Sequence, residues 1–187
     1  MTLFSDDELV NAAIMNGNLE VLAAGPTVLS ASQPSITLAV PSGFNRLKIR
    51  WRARSDQATT AEQLYLRFNG DTSSDYLWEV NQANNTSVAG TTSGGTATSI
   101  QIGTIPCASA TAGYFGSGEG TADGVSTTST GFTTYQGSGC GFVTSTSMYN
   151  GTYSGQWNQS GAVTSVTIYP SSGNLVAGSS LSIYGLM

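Results

Sequence analysis

Apolar residues along this chain recur mostly at every second position, in short runs broken by Gly, Ser, Pro and Asn. That period marks β-strands with one buried and one exposed face. Leu47, Ile49, Trp51 and Ala53 alternate within Phe44–Arg54, a segment opened by Pro41-Ser-Gly43. Leu64, Leu66 and Phe68 repeat the pattern, closed by the turn signal Asn69-Gly70-Asp71. Strands are also predicted at 36–40, 76–80, 99–105, 152–157, 163–169 and 179–186, with turns at 158–161 and 170–173. Residues 84–97 read as a polar loop, and residues 107–150 as two or three strands around Tyr114, 130–135 and 141–147. Many short strands at even spacing predict an all-β protein, an antiparallel β-sandwich of jelly-roll type.

The first residues follow a different logic. Ser5 and Glu8 make a capping box, Phe4 and Leu9 a hydrophobic staple, and Asp6, Asp7 and Glu8 suit the positive end of a helix. A helix is predicted over 6–16, stopped by Gly17. So short a helix does not persist alone in water and must dock on something. Leu3, Phe4, Leu9 and Ile14 are its candidate docking side chains. The chain thus divides into a docking arm, residues 1–25, and a sandwich domain, residues 26–187, with a first strand or linker at 19–23.

Charge changes this picture more than composition does. Only 9% of residues are charged, against about 25% in ordinary soluble domains. All six cations fall within residues 46–67. Arg46, Lys48, Arg50, Arg52 and Arg54 form the second face of the strand whose first face is Leu47, Ile49, Trp51 and Ala53. Successive cations lie about 6.7 Å apart at a rise of ~3.3 Å per residue, so they repel unless acids flank them. Asp56, Glu62, Asp71, Asp75 and Glu79 are the nearby candidates. The first reading is an internal ladder of ion pairs across neighbouring strands. The five cations could instead meet an acidic partner or a neighbouring subunit. A nucleic-acid partner is not expected, because the net charge is −5.

No run approaches the ~20 apolar residues of a membrane span, so no membrane partner is expected. The acidic start lacks the basic region and apolar core of a signal peptide, which predicts synthesis in a cytosol. Cys107 and Cys140 are then expected as free thiols. Two cysteines without a histidine do not make a standard zinc site, and no cofactor is predicted. The run from Asn69 to Asp75 is rich in oxygen ligands but lacks EF-hand spacing, so a turn with Asx bonds is the better reading. Glu119 and Asp123 could be taken for a catalytic dyad; a solvated loop pair fits better, since nothing nearby would raise a pKa. Without histidine, Ser and Cys nucleophiles lack their usual base, and no enzyme is expected. Tyr135, Tyr149, Tyr153 and Trp157 stand among polar residues. They serve either as core or as a binding surface, with core favoured.

The segments Asn45–Ser55, Leu64–Thr72 and Asp75-Tyr76 resemble a group of tailed-bacteriophage virion structural proteins. So do Gly155–Trp157, Ala162–Ile168, Asn174–Ser179 and Ile183–Leu186. The shared features are a basic R-A-R-S strand, an R-F-N-G-D-T turn, a late Trp strand and a terminal L-Y-G strand. The likeness spans about 35–80 and 150–187; the first 25 residues and 84–150 depart from it. The resemblance implies a non-enzymatic virion component, made in the host cytoplasm. The leading expectation is a capsid decoration (cement) protein on the outside of the head. It would be a homotrimer whose partner is the major capsid protein or another virion protein. The alternative is a tail or fibre-knob protein that recognises a host surface glycan through residues 107–150.

Overall fold

A computed structural model describes residues 20–85, 87–93, 95–126 and 131–186. The predicted helix over 6–16, with Leu3, Phe4, Leu9 and Ile14, lies outside the described residues. Among those described, all regular structure is β.

Twelve strands follow in order: β1 Glu20–Val28, β2 Ile36–Ala39, β3 Arg46–Ala53, β4 Ala61–Phe68, β5 Tyr76–Asn84 and β6 Ser87–Thr92, then β7 Ile100–Pro106, β8 Gly116–Asp123, β9 Thr133–Thr144, β10 Ser147–Trp157, β11 Ser165–Pro170 and β12 Ser180–Leu186. They form two antiparallel sheets packed as a sandwich. The large sheet has the order β1-β12-β3-β8-β9-β10-β5-β6 and the small one β2-β11-β4-β7. Setting aside β5, β6, β9 and β10 and renumbering the remaining eight leaves sheets of order 1-8-3-6 and 2-7-4-5. That is the strand order of a jelly roll. The two hairpins β5–β6 and β9–β10 are insertions. Both add to the same edge of the large sheet, joined to each other through β10 and β5.

The period-two patterns set the core. Leu47, Ile49, Trp51 and Ala53 face inward from β3, Leu64, Leu66 and Phe68 from β4, Val166 and Ile168 from β11, and Leu181 and Ile183 from β12. Tyr135, Tyr153 and Trp157 are core residues, as favoured from their sequence context. β7 is buried at every position although it ends the small sheet. The inserted strands explain this, because β9 and β10 pack against it and the large sheet curls past its edge.

Three expectations change. Residues 84–97 hold the end of β5 and all of β6 rather than one loop. Residues 20–25 pair with β12 and so belong to the sheet, not to an arm. In the middle region no strand centres on Tyr114; β8 begins just after it, at Gly116. Cys107 and Cys140 are free thiols.

Candidate interaction face on the large sheet

The outer face of β3 was the sequence's main candidate for a contact. Its inner residues are fully buried, which forces Arg46, Lys48, Arg50 and Arg52 to the outside. β8 lies beside β3 with Arg46 opposite Asp123 and Arg50 opposite Glu119. The register therefore places each acid against a cation. Arg46 pairs with Asp123. Arg50 Nε donates to Glu119 Oε2 at 2.9 Å, and Lys48 Nζ lies 3.5 Å from Glu119 Oε1. Glu20 of β1 joins from the other side, accepting from Lys48 at 2.8 Å and lying 3.5 Å from Arg50. The expected ion-pair ladder exists, but its acids are Glu20, Glu119 and Asp123. Asp56, Glu62, Asp71, Asp75 and Glu79, the acids nearest in sequence, take no part in it.

The electrostatics follow from these contacts. The hydrogen bond from Arg50, with Lys48 nearby, holds the Glu119 carboxyl below its ordinary range. The bond to Glu20 raises the Lys48 ammonium above its own. A general acid needs the opposite shift, so Glu119 is fitted to stay ionised rather than to donate a proton. Glu119 and Asp123 are strand residues in a ladder, not a loop pair.

The last two cations of the row behave differently. The Arg52 guanidinium carbon lies 3.5 Å from the centre of the Phe115 ring, and its Nη1 donates to Gly178 O at 2.7 Å. Arg54 was expected on the same open face, yet it is only 9% exposed. Segment 108–114 folds over it, and Arg54 donates to the carbonyls of Thr111, Tyr114 and Ala110 at 2.7, 2.9 and 3.0 Å. Arg54 is thus a clamp for that loop and is removed from the candidate contact face. Every cation of the row is engaged within the chain.

Two shallow grooves of about 440 and 410 Å3 run over this face, sharing Glu119 and Ser138. Ser117, Asn150 and Gln136 add hydroxyl and amide groups to the ion pairs. The face is polar and charge-balanced, suited to a hydrogen-bonding partner rather than to a strongly anionic one. Glu20, Glu119 and Asp123 were missed as partners by sequence reading. One signal for two of them was present: Gly116-Ser-Gly-Glu-Gly-Thr-Ala-Asp123 has period two, with both acids on one face.

At the Arg46–Asp123 end of the sandwich the oxygen-rich turn is occupied by its own hydrogen bonds. Asp71 Oδ1 accepts from Ser73 N at 2.9 Å, and Asn69 Oδ1 accepts from Thr164 N and Ser165 N at 2.7 and 3.1 Å. Among the described residues, no group of three or more His, Cys, Asp or Glu could hold a metal ion.

No family model matches the chain, and no curated protein matches it. Among solved structures, that of Eiger TNF from S. frugiperda aligns with 90% of this chain and 90% of its own, at 8% identity and a TM-score of 0.22. Similarity at that level carries no argument about fold or function.

Proposed function

We propose that this chain is a non-enzymatic structural protein of a phage virion, a decoration protein held as a trimer on the outside of the head. The observation that carries the reading is β1. It is an edge strand of the large sheet, directly after residues 1–19, and it exposes Val21, Leu22 and Val28, the last at 61%. Edge strands of free-standing proteins are usually shielded. Pro26 with two register shifts does this for the second half of β1, but Val21 and Leu22 at its start stay open. An apolar edge next to the arm suits a surface covered by the shell or by a neighbouring subunit. The segments that resemble virion proteins add weight, because they form β2, β3, β4, β11 and β12 of the jelly-roll framework, with the start of β5 and the end of β10. The departing middle carries β6 and β9 of the insertions together with β7 and β8 of the framework.

Gold-labelled antibody on purified virions tests the location. Label spread over the head supports decoration. Label confined to the tail replaces it with the reading of a tail or fibre-knob protein that recognises a host glycan. Deletion of residues 2–18 tests the arm, since it stops short of β1: the sandwich should fold, and head binding should be lost. Undiminished binding would reject the role given to the arm.

A further inference from the structure

A pocket of about 250 Å3 lies between β4 and β7 on one side and the inserted hairpin β5–β6 on the other. It exists because the large sheet continues past β7. Tyr65 pairs with Gln101 and Gln63 with Thr104, so these residues share the face of the small sheet opposite to core residues Leu64 and Leu66. Trp78 and Gln82 of β5 and Tyr149 of β10 close the pocket. Its walls thus combine three aromatic rings with three glutamine amides.

The amides are unevenly occupied. Gln82 Oε1 accepts from Thr104 Oγ1 at 2.6 Å and from Tyr153 OH at 3.4 Å, which orients Gln82 and leaves its Nε2 to donate. Gln101 is only 6% exposed, and its amide has no hydrogen-bond partner among the described residues. Its oxygen and nitrogen are not fully enclosed, so the amide opens onto the pocket, where a ligand's hydroxyls can pair it.

We propose that this pocket binds a single neutral sugar ring, free or at the end of a glycan. An amide offers a donor and an acceptor side by side, which matches the neighbouring hydroxyls of a pyranose. The aromatic walls offer apolar surface to its C–H faces. The volume falls below the ~300–1,000 Å3 of drug-sized sites, so one ring fits and a longer chain must extend outward. No Lys or Arg lines the pocket, and Glu62 does, so an acidic sugar finds no counter-charge. The proposal is independent of where on a virion the protein sits.

The test is a titration of the 15N-labelled full chain with the methyl pyranosides of glucose, galactose, mannose and N-acetylglucosamine. At least one should give saturable shifts centred on the Trp78 indole N–H and the Gln63 and Gln101 amides. Gln63 is exposed, so Gln63→Ala should fold normally and weaken that binding about tenfold, the worth of one lost hydrogen bond. Gln101→Leu should abolish it, and if that variant fails to fold, Gln63→Ala still decides. The proposal is overturned by no saturable shift with any of the four sugars up to about 100 mM, a concentration that would reveal even very weak sites. It is equally overturned by shifts centred on Ser138 and Asn150 of the outer groove, or by unchanged affinity in Gln63→Ala.

Discussion

Arg54 and Tyr135 show how far a side chain's role depends on what closes over it. Arg54 has the spacing of a surface cation, but segment 108–114 wraps its guanidinium in backbone carbonyls. Bonds to a charged donor are worth about 1.5–3 kcal/mol each, so Arg54→Ala should cost roughly 3 kcal/mol or more in chemical denaturation. It should also open residues 108–114 to limited proteolysis. Arg54→Lys should rescue little, because a single ammonium cannot reproduce the planar fork. Tyr135 is the converse case: its hydroxyl is buried without a hydrogen bond of normal geometry, its one neighbouring donor being the equally unpaired Trp51 indole N–H. Removing such a group relieves its desolvation without losing a bond, so Tyr135→Phe should be neutral or stabilising by up to about 1 kcal/mol. A loss of more than that in urea unfolding would mean the hydroxyl has a partner. The alternation of cations was legible in sequence; the loop that buries Arg54 lies more than 50 residues away and was not.

At the scale of elements, the strands β8, β9 and β10 explain both the strength of the fold and the weakness of the sequence signal. Facing inward positions of β8 and β9 are glycine at Gly116 with Gly141, Gly118 with Gly139 and Gly120 with Gly137, whereas β10 alternates Gly151 and Gly155 with Tyr153 and Trp157 and was partly legible at 152–157. Hydropathy does not register a strand whose buried face has no side chains. The volume is supplied from elsewhere. Trp51 of β3 lies over Gly118 and Gly139 with Gly103 of β7 on its other side, and Tyr135 lies over Gly120 and Gly137. The ring-bearing strands β3 and β4 were therefore readable from period two, while their glycine partners were not. A Cβ on Gly118 would sit 2.6 Å from Ser138 O and 2.7 Å from Trp51 Cε2. The first is backbone and cannot step aside, so Gly118→Ala should destabilise by about 1–3 kcal/mol, the usual cost of overpacking. A thermal shift within error of the parent would show that the ring has room to move. The pocket behind β7 was illegible for the same reason. Gln63 and Gln101 look like solvent-facing strand residues until the β5–β6 hairpin, which carries Gln82, comes to lie beside them.

For the whole molecule, carboxylates act as ties between distant parts of the chain, and this fixes its response to pH. Glu119 joins β8 to β3, Asp56 accepts from the backbone and side chain of Asn174, and Asp71 accepts from Ser73 and from the Trp157 indole at 2.7 Å. The Arg50 bond lowers the pKa of Glu119, the Asn174 bonds that of Asp56, and the Ser73 and Trp157 bonds that of Asp71. A carboxylate whose folded pKa lies below its unfolded value contributes stability above about pH 4, and that contribution fades as pH falls through the folded pKa. Asp71 should matter most, since it is half-buried and anchors a core tryptophan, whereas water screens the more exposed Glu119 and Asp56. The basic limb has the opposite sign. Burial pushes the Cys107 thiol up to about 11. Its neutral form is thus favoured by folding, and that stability is lost as pH rises from about 9. The chain has no histidine, so no side chain with an ordinary pKa between about 5 and 8 is present to tilt the middle. The midpoint of thermal unfolding should be flat between about pH 6 and 8 and should fall below about 4 and above about 9. Asp71→Asn should flatten the acid limb, because the amide keeps an acceptor for Trp157 but no longer titrates. An acid limb unchanged by that substitution would place the acid lability in the exposed ladder instead.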